Sequence, residues 1–365
     1  MTGFLRWPGA VDLLVELVKA PSISGSEEAA LEVLQAALQS ENIAVEGRGR
    51  NIVARHGEGA PELWLCTHID TVKPAQGWSF DPWSGELING RVLGLGANDA
   101  KGSVAAMAQA FVDFGRAHPN FKKGSLVLAI ACDEETGGEG VERLLREMPA
   151  PTAAIVGEPN NLLVANCCKG LVRAYVQIEG KSAHASRPWQ GESAVRRMLP
   201  AMQFLCADHE FPSDPVLGLP TLEVTIVEAG TQKNVLPAAA HLTLDGRTTP
   251  AYGNADMVAL LRSGIAPLPG CDLVIGSDRL NATRTPEQGR LVQAALAARG
   301  QERAGAFPSV CDFVFLGGSD AVVMGPGQPE RSHRADEYLL VGELSDGVEC
   351  YSESVRRYFE LEPAP

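Results

Sequence analysis

Apolar and polar positions along the first half of the chain switch repeatedly between a helical period and an extended one. In EEAALEVLQAALQ the apolar residues Ala30, Leu31, Leu34 and Leu38 recur at helical spacing, behind a Ser24 and Glu27 pair that reads as a capping box. NIVAR and ELWLCTHID read as strands, KGSVAAMAQAFVDFGRA as an Ala-rich helix, and SLVLAIAC and AAIVGEP as strands apolar on both faces. The alternation predicts an α/β domain in which helices flank a central sheet. Asp12 and Glu16 interrupt the apolar stretch of the first twenty residues, which therefore predict an amphipathic helix and not an export signal.

From about Leu171 the texture changes. LVRAYVQIEG and TLEVTIVEAG alternate apolar and polar residues, as strands of an antiparallel sheet with one covered face do, and helical stretches lie around SAVRRMLPAMQFL and NADMVALLRSG. Residues 171–281 are expected to form a smaller inserted domain, with 1–170 and 282–365 forming the main one. In the tail, TPEQGRLVQAALAARG and LSDGVECYSESVRRYFELE read as helices and DAVVMGPG as a buried strand.

Composition narrows the function. A chain of 365 residues with 45% apolar content can fill sizeable cores. A net charge of −14, with no basic cluster, argues against nucleic acid and anionic membranes as partners, and no stretch approaches the roughly 20 apolar residues of a membrane span. Eight cysteines without CxxC spacing read as reduced thiols, which points to the cytoplasm; Cys66, Cys132 and Cys167 read as core residues.

Ligands of open α/β sheets collect at the carboxyl ends of the strands, and here those ends are rich in metal-binding residue types. WLCTHID ends in His68 and Asp70, whose spacing puts both on one face so that Asp70 can orient His68. GLGANDAKG places Asp99 among glycines, in a position to bridge two ions. SLVLAIACDEETGG delivers Asp133, Glu134 and Glu135 together, carboxylates that repel one another unless a cation is present. AAIVGEP adds Glu158, and GPGQPERSHRADEY adds His333. Mixed imidazole and carboxylate ligands suit two divalent ions, Zn²⁺ first, with Co²⁺ or Mn²⁺ as alternatives.

Taken together, THIDTVKP, GLGANDAKG, ACDEETGG, GEP, GKSAHASRP, KNVLP, LDGRTTP and GPG followed by SHRADEYL resemble the M20 metallopeptidases, in family order and across nearly the whole chain. Within that family the sequence resembles the branch of acetylornithine deacetylase and succinyl-diaminopimelate desuccinylase, enzymes of arginine and lysine biosynthesis. The resemblance implies one metal on His68 and Glu158, another on Glu135 and His333, and Asp99 bridging both. It implies Glu134 as general base and acid, Asp70 as the orienter of His68, and a cis peptide between Asp99 and Ala100. The implied fold is a catalytic domain with a central mixed sheet, interrupted by a lid of four antiparallel strands and two helices through which many members form homodimers.

In the mechanism so implied, a water held between two cations becomes a nucleophile near neutral pH, and Glu134 takes its proton and passes it to the leaving amine. His184 is the candidate oxyanion donor, within the subunit or across the dimer. Arg247 and Asn234 are candidates for holding a substrate carboxylate, Arg247 having the alternative of pairing with Asp245; Lys169 and Gly170 are further contact candidates. Asp320, in GGSDA, is expected either to favour a cationic substrate side chain or to cap a helix or turn. The expected activity is deacylation of a small N-acyl amino acid of the N-acetylornithine or N-acetyl-lysine type. The alternatives are succinyl-diaminopimelate desuccinylase, a dipeptidase or carboxypeptidase, and more distantly a non-catalytic amino-acid-binding protein on the same fold. His56, His118, His209 and His241 are expected to be ordinary surface or loop residues.

Overall fold

The computed structural model describes residues 6–361 and divides the chain into two compact units. The first comprises residues up to Cys167 together with Thr285–Phe307 and the segment from Cys311 onward; the second comprises Cys168–Arg284 and Pro308–Val310.

The first unit is built on a mixed sheet. Seven of its strands lie in the order Val45–Arg48, Asn51–Glu58, Gly124–Ala131, Glu62–His68, Ala153–Val156, Asp320–Val323 and Ala165–Cys168. The four from Gly124–Ala131 to Asp320–Val323 run parallel, and the flanking pairs are antiparallel. Apolar runs account for this arrangement. Leu63, Leu65, Leu126, Leu128 and Ile155 enter one core with helices Ala10–Lys19, Glu28–Gln39, Lys101–Ala117, Arg290–Arg299 and Val341–Tyr358. Their neighbours Trp64, Cys66, Val127, Ala129 and Ala154 point the other way and are equally buried. A sheet covered on both faces leaves its strand ends as the places where polar side chains can gather.

Several expectations change in detail. Helix Glu28–Gln39 has no side-chain cap; Ser24 Oγ donates to Asp70 instead, and Glu27 pairs with Arg50. Buried Glu27 is bonded to Arg50 and to the N–H of Gly25 at 2.8 Å, which takes it out of a capping box with Ser24. TPEQG is not helical, because Pro286 and Gly289 hold a turn and the helix begins at Arg290. Helix Glu139–Glu147 and a small sheet of Tyr338–Leu340, Arg91–Leu93 and Leu87–Ile88 were not apparent from periodicity. Of the helix expected in the first twenty residues, Ala10–Lys19 is helical, while residues 1–5 lie outside the described residues. No helix among the described residues is long and apolar enough to cross a membrane.

The second unit is a four-stranded antiparallel sheet, ordered Thr221–Ala229, Ala239–Thr248, Gly170–Glu179 and Cys271–Leu280. Strict alternation along Gly170–Glu179 and Ala239–Thr248 sends Val172, Ala174, Val176, Leu242 and Leu244 to one face. Helices Ala194–Leu205 and Asn254–Ile265 cover that face through Met198, Ala201, Met257 and Leu261. The two helices meet where Gly264 lies against the ring of Phe204, and a Cβ at Gly264 would come within 2.1 Å of its Cζ. Helix propensity alone favours Gly264→Ala by about 1 kcal/mol, whereas overpacking costs about 1–3 kcal/mol. We expect Gly264→Ala to lower the thermal midpoint and Phe204→Leu to restore part of the loss in the double variant, both read by calorimetry.

Candidate metal centre

His68 ends strand Glu62–His68, buried, with Nε2 3.4 Å from Asp99 Oδ1 and 3.9 Å from Glu158 Oε1. Asp99 ends the glycine-rich turn at residues 94–99, joined to Ala100 by a cis peptide, immediately before helix Lys101–Ala117. Its second oxygen, Oδ2, lies 3.6 Å from Nε2 of His333, and that nitrogen is 3.0 Å from Glu135 Oε1. Each oxygen of one carboxylate therefore faces a different imidazole. His68, Asp99 and Glu158 form one group of converging ligand atoms, and Asp99, Glu135 and His333 form a second, each within 4.8 Å. Asp99 is common to both.

Asp70 holds the acidic turn in place. Its Oδ1 accepts the amide N–H of Glu134 at 3.1 Å, and Oδ2 accepts that of Glu135 at 3.2 Å together with Ser24 Oγ at 2.7 Å. The His68 ring turns its Nδ1 to the Asp70 carbonyl oxygen at 3.0 Å, with Asp70 Oδ1 at 3.4 Å. Orientation of His68 and of the Glu134–Glu135 pair thus falls to one fully buried residue. On the far side of the turn, Asp133 sits in the left-handed region at φ 64° and pairs with Arg50, which also pairs with Glu27. Sequence reading missed Arg50 and Ser24, since neither is a ligand type; the signal for Arg50 was the surplus acid Asp133 beside Glu134 and Glu135.

Charge is crowded here. Burial, then repulsion from Glu158, raises Glu134 well above the usual carboxylate range, and burial raises Glu158 likewise despite the neighbouring His68. Burial also raises Glu135, against the pull of its His333 hydrogen bond. Asp70 and Asp99 go the other way: burial pushes each up, but their bonds to His68 outweigh it and hold them low. Asp312, buried beside Gly138, adds to the repulsion at Glu134 and Glu158. Such a donor set, oxygen and imidazole atoms under mutual repulsion and shielded from water, fits divalent cations of the zinc type.

The other candidates lie elsewhere in the chain. His184, Asn234 and Arg247 belong to the smaller unit, where the loops of His184 and Asn234 meet: Ala185 N–H donates to Asn234 O at 2.9 Å, and His184 Nδ1 contacts Ser186 Oγ at 2.8 Å. Arg247 pairs with Asp245, Nε to Oδ1 at 2.6 Å, and Arg173 shares that acid. Lys169 Nζ donates to Leu219 O. Asp320 is a cap: its Oδ2 accepts the N–H of Leu291 at 2.6 Å, at the start of helix Arg290–Arg299, which engages the carboxylate proposed for a cationic substrate. Cys66, Cys132 and Cys167 are buried, and burial raises the first two thiols. His56 is not a surface loop residue; it lies half-buried in a strand, edge-on to Phe114, its Nε2 2.8 Å from His118 O.

Known proteins resemble this chain along most of its length. The model of peptidase family M20/M25/M40 matches residues 64–357. A succinyl-diaminopimelate desuccinylase of Acidiphilium cryptum is 28% identical, the match covering 96% of this chain and 98% of that protein. A protein of Aspergillus flavus described as a probable carboxypeptidase is 29% identical over 92% of this chain and 84% of its own. Among solved structures, an M20 family metallo-carboxypeptidase of Sulfolobus solfataricus superposes with a TM-score of 0.79 at 18% identity, covering 96% of this chain and 99% of that one. The likeness of that structure is one of fold.

The hydrogen bond to Glu135 raises His333 to about 9, so without an ion this imidazole keeps its proton at neutral pH. A metal must displace that proton. Binding of Zn²⁺ or Co²⁺ is therefore expected to release protons and to tighten as pH rises from about 6 to about 9. Calorimetry in two buffers of different ionisation enthalpy measures this; an affinity independent of pH would contradict it.

Proposed function

The chain belongs to peptidase family M20/M25/M40 and is a metal-dependent hydrolase of amide bonds, and we propose that its substrate carries a free carboxylate on the amine side of the scissile amide. N-Succinyl amino acids and the C-terminal residues of short peptides both meet that description. The sharing of Asp99 between two ligand groups, with Glu134 beside them, carries the reading of a dinuclear hydrolytic site. The desuccinylase and carboxypeptidase relatives support the substrate class. Neither they nor Asp320, whose carboxylate caps a helix, supports the N-acetylornithine or N-acetyl-lysine reading.

In this reading His68 and Glu158 would hold one cation and Glu135 and His333 the other, with Asp99 available to both, and bound ions would supply a lowered pKa for water and a polarised carbonyl. Glu134, held above the usual carboxylate range by burial and by Glu158, accepts the proton of the attacking water and returns it to the amine nitrogen as the C–N bond breaks. A carboxylic acid and an amine leave. Asp70 keeps Glu134 aimed by holding its backbone N–H. His184 donates to the developing oxyanion, and Arg247 with Asn234 receives the substrate carboxylate, a task suited to a planar guanidinium already steadied by Asp245. The exposed edge strand Thr221–Ala229, with Ile226 and Val227 about half open to solvent, supports a homodimer formed through the smaller unit.

Two measurements test this. Glu134→Gln is expected to reduce kcat by about 10³-fold or more while metal content, read by elemental analysis, stays at the wild-type level. Loss of metal instead would make Glu134 a ligand. In a panel containing N-succinyl-diaminopimelate, dipeptides, tripeptides and N-acetylornithine, converting the α-carboxylate beside the scissile nitrogen to an amide should lower kcat/KM by about 100-fold or more. Equal hydrolysis of the amidated compounds would overturn the proposed substrate class.

A further inference from the structure

His333 differs from its fellow candidate ligands. They are held by strand ends and burial, whereas its side chain is 54% exposed and it stands at φ 60° on a segment without regular structure between Arg331 and Tyr338. Packing does not fix such a residue, so its separation from Asp99 must be set by other bonds. Two buried side chains supply them, one on each side of His333 in sequence. Asn98, fully buried, is bonded to the segment preceding His333: Nδ2 donates to Gln328 O at 3.0 Å and to Ser332 Oγ at 3.2 Å, and Oδ1 accepts the N–H of Gln328 at 2.9 Å. Glu337, 2% exposed, reaches back from the following segment, and its Oε1 accepts the consecutive N–H groups of Asn98 at 2.9 Å and Asp99 at 3.0 Å. Its main-chain carbonyl also accepts the N–H of Gly94, at the start of the same turn.

We infer that Asn98 and Glu337 are positioning residues that lock the turn bearing Asp99 to the loop bearing His333, and so set the affinity of the cation position formed by Asp99, Glu135 and His333. This rests on the dinuclear reading above. Neither side chain is a ligand in that reading. The first position, with His68 and Glu158 fixed by the sheet, depends less on the lock. One oxygen of Glu337 accepts both amides, so an uncharged acceptor at the same place should serve as well.

The test is titration of the metal-free full chain with Co²⁺, followed by visible absorption, with circular dichroism recorded on each variant. Wild type should take up two equivalents. Glu337→Ala and Asn98→Ala should weaken the second equivalent by about 10–100-fold and leave the first within about threefold, while Glu337→Gln binds both as wild type does. Wild-type affinity for both ions in a folded alanine variant would overturn the lock, as would equal damage from Gln and Ala. Should the alanine variants not fold, Ser332→Ala, which removes the acceptor of Asn98 Nδ2 together with a hydroxyl bonded to Asp99, must still weaken the second equivalent, and unchanged binding there counts against the proposal. A wild-type protein that binds only one ion would overturn the dinuclear reading itself, an outcome distinct from failure of the lock.

Discussion

Like charge confined in a small space is the constraint around which the main unit is organised. Asp99, Glu134, Glu135 and Glu158 converge on two imidazoles at the carboxyl edge of the parallel strands, and burial denies them most of the water that would screen their repulsion. Folding such a set together costs free energy that neutral packing does not recover locally. The surrounding sheet, covered on both faces, supplies the stiffness that keeps the groups from moving apart, and Asp70 and Arg50 hold the acidic turn from either side. Bound cations turn the same repulsion into affinity.

Much of this was legible in the sequence because strand ends announce themselves. Unbroken apolar runs mark the buried strands, and the residues just beyond them, His68, Glu134, Glu135 and Glu158, stand out as chemistry placed where a sheet delivers it. Helix Lys101–Ala117 and the two helices of the smaller unit followed from period alone. Other features were hidden for a physical reason: they depend on partners distant in sequence. Ser24 suggests a cap until its hydroxyl is found on Asp70, 46 residues away, and Asp320 suggests a substrate contact until the amide of Leu291 is found on it. Short polar side chains serve local and distant partners equally well, so spacing cannot decide between them.

The smaller unit was legible as a fold and less so as chemistry. Alternation along Gly170–Glu179 and Ala239–Thr248 marks the covered face plainly, yet the same alternation puts Arg173, Asp245 and Arg247 side by side on the other face, where the two cations share one acid. An arginine in such a cluster is held in position but only partly neutralised, a state compatible with receiving a second carboxylate. Sequence registers the residue types and not this sharing, because the pairing runs across neighbouring strands.

The insertion at Cys168–Arg284 has a consequence for how the protein is made. Four of the five candidate ligands are encoded before it, while His333 and the strand Asp320–Val323, which pairs beside Ala153–Val156, come after. A nascent chain emerging from the ribosome therefore exposes His68, Asp99 and Glu158 long before the second ligand group can close, and it carries a half-built acidic cluster while the smaller unit is being synthesised. The second group is thus closed only by the last stretch of chain to be made, after the smaller unit that interrupts the larger one.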